Sequence, residues 1–159
     1  NATITLTRPG GERGRIEVRG DDVTLASAGR EFGLKAFFRL FTWVDASFRL
    51  EYLSGGETVG SDISLGDVEE LTMTALFQRL EHDALLAELG GVERCFEEDP
   101  EHEAVENEID ADGKYVLLLV HRHARLRDVL DASGLSDLNT LKSLNALRGH
   151  GVLRPADGP

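Results

Sequence analysis

The chain has 159 residues, with 17 Lys and Arg against 29 Asp and Glu, a formal net charge of −12 and a pI near 4.8. That balance argues against a general nucleic-acid binder and against docking on anionic lipid, because both need the opposite sign over most of the surface. At 41% hydrophobic and 29% charged the composition is that of a folded chain, not a disordered one. One cysteine, Cys95, excludes an internal disulfide and a cysteine-built zinc site and suits a reducing, cytoplasmic setting. The longest apolar run, Tyr115 to Val120, is too short to span a bilayer. The chain opens at Asn1 without Met, signal or transit pattern, which is expected of a piece of a longer protein.

Thr3-Ile4-Thr5-Leu6-Thr7 alternates with period two and predicts a strand, followed by turn chemistry from Pro9 to Gly14. Arg15 to Arg19 alternates again, with Ile16 and Val18 on one face; Gly20-Asp21-Asp22 is a turn and Val23 to Ala26 a third strand. Three strands joined by tight turns predict an antiparallel meander with one covered face. Its cover is a helix over about Glu31 to Trp43, where Leu34, Phe37, Phe38 and Phe41 recur at helical spacing. Phe32, Phe37, Phe38, Phe41, Trp43 and Phe48 cluster in this stretch, and packing on a small sheet explains them better than a ligand pocket or a base-stacking surface. Ser47 to Leu53 alternates as a returning strand, and a loop runs from Ser54 to about Gly66. Asp67 stands at an N-cap with Glu70 as its capping-box partner. The helix beyond it carries Leu71, Ala75, Leu76, Leu80, Leu85 and Leu89 to Gly90-Gly91, unbroken or interrupted near His82-Asp83.

The fold class is therefore α+β. Gly14, Ile16, Val18, Val23, Ala26, Gly29, Trp43, Phe48 and Leu50, followed by the acid-bearing helix segment Arg79 to Leu85, resemble the PATAN domain family over residues 3–89. The family's opening helix and its aromatic-Asp-Gly turn have no counterpart here. That resemblance implies a non-enzymatic module of bacterial signalling proteins, often joined to a receiver domain. Some members act in surface motility by contacting type IV pilus motor ATPases. It carries over no catalytic residue.

Residues 1–88 carry 9 basic and 15 acidic side chains, residues 89–113 carry 1 and 10, and residues 114–159 carry 7 and 4. Most of the net charge thus lies in one connector, whose like charges repel and bury little apolar surface. The expected organisation is a sheet-plus-helix lobe at 1–90, an acidic linker at 91–113, and a helical lobe at 114–159. In that last lobe Tyr115 to Val120 is apolar on most sides and fits either a helix or a strand. Leu126, Val129 and Leu130 mark a short helix. Ser136 can cap a third, with Leu138, Leu141, Leu144 and Leu147 inside, before Val152-Leu153 returns. This order resembles a winged-helix unit, with no room after Leu153 for a two-stranded wing.

Candidate chemistry is sparse. On a helix His121-x-His123 would point to opposite sides, and no third metal ligand stands at a recognised spacing. His82-Asp83 is half of a dyad without a nucleophile in a turn motif, and Cys95 sits beside Arg94 but also beside carboxylates. No catalytic residue, cofactor or metal is assigned. The candidate partner contacts are two charged clusters, Glu97, Glu98 and Asp99 in the connector, and Arg122, Arg125 and Arg127 beyond it. The expected function is a protein-interaction module of a signalling or motility regulator. The alternatives are a transcription regulator reading DNA with Asn139, Lys142, Ser143, Asn145 and Arg148 of the third helix, and a small-molecule sensor with a pocket between the lobes.

Overall fold

Period-two alternation near the start of the chain becomes an antiparallel meander of β1 (Ala2–Thr7), β2 (Arg13–Arg19) and β3 (Asp22–Ala28). The computed structural model describes residues 1–52, 63–101 and 109–156. Register sets Ile4 opposite Ile16, and Ile16 opposite Ala26, so one face of the meander is apolar throughout. The β2–β3 connection is only Gly20-Asp21, and Gly20 at φ +59 takes the first central position that a type II′ turn reserves for glycine.

The next elements lay a lid on that face. β4 (Glu31–Phe32) pairs with β3 and leads into α1 (Gly33–Phe41), a shorter helix than the pattern to Trp43 predicts. Thr42 ends it, its Oγ1 donating to the Arg39 carbonyl at 2.8 Å. α1 buries Ala36, Phe37 and Leu40 against Ile16, Val23, Ala26 and Ala28. The glycine at position 14 has a steric reason. A Cβ on Gly14 would stand 2.1 Å from Leu40 Cδ2 and 3.2 Å from the Ser27 carbonyl oxygen. Gly14→Ala should therefore destabilise the fold by about 1–3 kcal/mol through overpacking. The readout is a lower urea midpoint at unchanged m-value; an unmoved midpoint would show that Leu40 yields freely.

β5 (Ser47–Tyr52) returns antiparallel to β1, and β6 (Gly66–Asp67) pairs with β3, giving the order β4-β3-β2-β1-β5 with β6 also on β3. The predicted end of that strand at Leu53, and most of the loop after it, lie outside the described residues. α2 (Val68–Glu88) then runs unbroken through His82-Asp83. Asp67 caps it as expected, its Oδ1 accepting from the backbone N–H groups of Glu69 and Glu70, both at 2.9 Å. At the other end Gly91 N–H donates to the Leu86 carbonyl and Gly90 N–H to that of Ala87, with Gly90 at φ +90, which is a Schellman stop.

Only part of the aromatic cluster is core. Phe37 is fully buried; Phe38, Phe41 and Trp43 pack partly against it, and Phe32 and Phe48 are exposed. α1 has only nine residues, and its buried positions do not extend to either of those two.

The chain divides into two compact units, Asn1–Leu80 and Glu81–Pro159, earlier than the expected boundary at residue 90. In the second unit the acidic connector is not simply a linker. Cys95 to Glu98 form β7 (Cys95–Glu98), and Phe96 enters the core. Tyr115 to Val120 resolves as helix, within α3 (Ala111–Arg122), whose N-cap Asp110 accepts from Gly113 N–H at 2.7 Å. α4 (Leu126–Ala132) and α5 (Asp137–Gly149) follow, and Ser136 caps α5 by accepting from Asn139 N–H, as the sequence predicts. β8 (Leu153–Ala156) closes the unit by pairing antiparallel with β7. The returning Val152-Leu153 thus finds its partner strand upstream, in the connector, instead of in a wing after it. Phe96, Val116, Leu126, Leu141, Leu144 and Val152 are among the residues of this core. Residues 102–108 of the expected linker lie outside the described residues.

Candidate functional site

The charged residues singled out from the sequence are largely engaged within the second unit. Glu97, on β7, holds the Arg154 guanidinium of β8 through Nε at 2.8 Å and Nη2 at 2.7 Å. The hydrogen bond to Glu97 and its charge, with Asp99 and Glu101 adding, raise the Arg154 guanidinium above its ordinary value. Glu98 meets His121 Nε2 at 2.7 Å. Asp99 Oδ1 accepts from Glu101 N–H at 3.0 Å. Arg125 and Arg127 both reach Glu93, and Arg122 ends α3, exposed. Two clusters that look like opposite-sign docking strips in one dimension are therefore, in space, mostly paired with other residues of the same unit, Arg154, His121 and Glu93, or used in local turn chemistry.

The third helix tells the same story. Of its exposed polar set, Lys142 Nζ pairs with Glu81 at 2.9 Å, and Arg148 Nη2 with Glu88 Oε1 at 3.2 Å. Arg148 also donates to the Glu88 carbonyl, an orphan acceptor at the end of α2, and Asn145 Nδ2 donates to Glu88 Oε2 at 3.3 Å. A recognition helix needs free cations for phosphate. The two on α5 already face the carboxylates of α2.

His82 is buried and its Nδ1 lies 3.1 Å from Asp83 Oδ1, a hydrogen-bond contact between neighbours on α2. His121 is held by Glu98, while His123 is the C-cap of α3, its backbone N–H donating to the Leu119 carbonyl. Among the described residues no group of three or more His, Cys, Asp or Glu side chains is placed to hold a metal ion. Cys95 is buried in β7, its Sγ directed at the Glu93 carbonyl. A cleft of about 420 Å³ lies in the second unit between the start of α3 and α5, lined by Asp110, Asp112, Asn139, Lys142, Ser143 and His150 among others.

Two apolar surfaces in the first unit were not singled out from the sequence. On α2, Met73, Leu76, Phe77 and Leu80 follow i, i+3, i+4, i+7 spacing and are all exposed, Phe77 at 69% and Leu80 at 72%. The helix is thus apolar on two sides, since Val68, Leu71 and Ala75 face the sheet core. A wheel count separates the sides: Leu76 stands five positions from Leu71, about 140° around the helix. On β5, Phe48, Leu50 and Tyr52 stand opposite Leu6, Ile4 and Ala2 and prolong the apolar face, yet all three are exposed. Single exposed apolar residues mean little, whereas grouped ones mark contact surfaces.

Compared with family models, curated proteins and solved structures, the chain matches none. No helix among the described residues is long and apolar enough to cross a membrane.

Proposed function

We propose that this chain is a non-enzymatic protein-interaction module of a bacterial signal-transduction or surface-motility regulator, acting in the cytoplasm. The carrying observation is the exposed stripe Met73, Leu76, Phe77 and Leu80 on α2. Four large apolar groups on one helix face, held on an element capped at both ends, form a rigid surface for the apolar face of a partner helix. The PATAN-like order of the first 89 residues supports the same reading and narrows the partners to try: receiver domains and type IV pilus motor ATPases. A surface of this kind recognises through burial, and no step of bond-making is asked of it.

Titration calorimetry of the full chain against purified proteins of those two kinds tests the reading. The double variant Phe77→Glu/Leu80→Glu should weaken binding about thirtyfold or more, the effect of losing a central apolar anchor. Its circular dichroism should stay unchanged, because both side chains are exposed in the free chain. Binding that ignores the double variant moves the contact off α2. Turnover of a small molecule by the chain sinks the reading altogether.

A further inference from the structure

The two ends of the sheet in the first unit are built differently. At one, β3 is shared between β4 and β6, each of two residues, and short strands of that kind blunt an edge. At the other, β5 presents six residues, and among the described residues no strand pairs with its outer side. An edge of that length offers a row of backbone donors and acceptors to another strand.

The side chains of β5 say which strand. Its sequence is Ser47-Phe48-Arg49-Leu50-Glu51-Tyr52, with Phe48, Leu50 and Tyr52 on the apolar face of the sheet and Arg49 and Glu51 on the other, 3.9 Å apart. An antiparallel partner related by a two-fold axis must set like faces together, so only every second register is open to two copies of β5. With the axis at Leu50, Arg49 stands opposite Glu51 of the second copy and Glu51 opposite its Arg49. On the other face Phe48 stands opposite Tyr52 of the second copy, and Leu50 opposite Leu50. The next allowed registers on either side set Arg49 against Arg49 or Glu51 against Glu51, which like-charge repulsion opposes. The strand is complementary to itself in one register.

We infer that this chain forms a two-fold dimer by antiparallel pairing of β5 with β5 of a second copy, joining the two sheets into one and covering Phe48, Leu50 and Tyr52, of which Phe48 and Tyr52 are 75% and 77% exposed in the single chain. Each apolar group meets another across the seam, and each charge exchanges its partner along the strand for one across it. The contact uses the edge of the sheet and leaves the stripe on α2 open to a different protein.

Sedimentation equilibrium on the full 159-residue chain, followed to about 1 mM, should show a monomer–dimer equilibrium. Arg49→Glu and Glu51→Arg should each weaken it about tenfold or more, since each replaces two opposite-charge pairs by two like-charge pairs. Arg49→Glu combined with Glu51→Arg should restore it, because the swapped strand is again self-complementary. A second arm does not depend on the charged face. Leu50→Cys should cross-link to its own copy under mild oxidation, the two Cβ atoms being directly opposite, whereas Phe48→Cys should not. A chain that stays monomeric, a dimer indifferent to Arg49→Glu, or a double swap as weak as the single variants overturns the inference. So does a Leu50→Cys chain that fails to cross-link.

Discussion

Phe96→Ala should destabilise the second unit by about 3–5 kcal/mol, the range for removing a fully buried ring. Phe96 stands in the most acidic part of the chain, next to Glu97, Glu98 and Asp99, and a solvated linker would tolerate its loss within about 0.5 kcal/mol. Its position says otherwise. The ring lies in one core with Leu89, Val116, Leu126, Leu141 and Val152. The backbone around it is tied to the same unit: Phe96 N–H donates to the Ala124 carbonyl at 2.8 Å, and Asp99 N–H to Val152 at 2.9 Å. The first N–H groups of α4, which no turn of its own helix can satisfy, donate to the connector, Leu126 to the Arg94 carbonyl and Arg127 to that of Val92. Removing the ring opens a cavity in a core built from α3, α4 and α5 and loosens the strand that anchors β8. Far-UV circular dichroism under urea is the readout, because α3, α4 and α5 all belong to this unit. A midpoint within the scatter of surface substitutions would return residues 92–99 to the status of linker.

That residue shows where the sequence stops being legible. Elements set by neighbours in the chain were readable: the period-two strands from Thr3 to Ala26, the Asp67 and Ser136 caps, and the glycine stop at Gly90-Gly91. β7 was not, because its two buried residues, Cys95 and Phe96, are adjacent and show no alternation, the other two are charged, and its partner β8 is near the other end of the chain. α3 was left open between helix and strand because apolar residues cover most of its sides; its cap, Asp110, lies in the charge run that suggested a linker. For the charged candidates, the sequence showed clusters and could not show pairing, so Glu97 and Arg154, or Lys142 and Glu81, met only in three dimensions. The stripe on α2 was hidden for a different reason. Apolar residues on two sides of one helix cancel the one-sided pattern by which amphipathic helices are recognised.

The first unit should lose about 3–5 kcal/mol to Phe37→Ala, toward the upper end because its surroundings are poorly able to collapse into the space left. Phe37 is fully buried, and the side chains buried with it are mostly small: Ala26 and Ala28 on β3, Ala36 beside it on α1, and Ala75 on α2. Alanines cannot move to refill a ring-sized hole, and the larger Leu40 is already seated over Gly14. The ring also meets Phe38 edge-on at 5.8 Å and Phe41 at 5.0 Å between centroids, contacts worth about 0.5–1.5 kcal/mol each beyond their area. Phe32→Ala supplies the control on the same stretch of chain: that ring is exposed, and its loss should stay within about 0.5 kcal/mol. Trp43, the one tryptophan, packs against this core and carries Arg8 over its ring at 5.5 Å, so its fluorescence reports the unfolding of this unit. Equal and small shifts for the two variants would mean that α1 is held to the sheet by something other than the ring at its centre. A large shift for Phe37 alone makes the aromatic cluster one buried anchor with an exposed fringe, and leaves Phe32 and Phe48 available as surface.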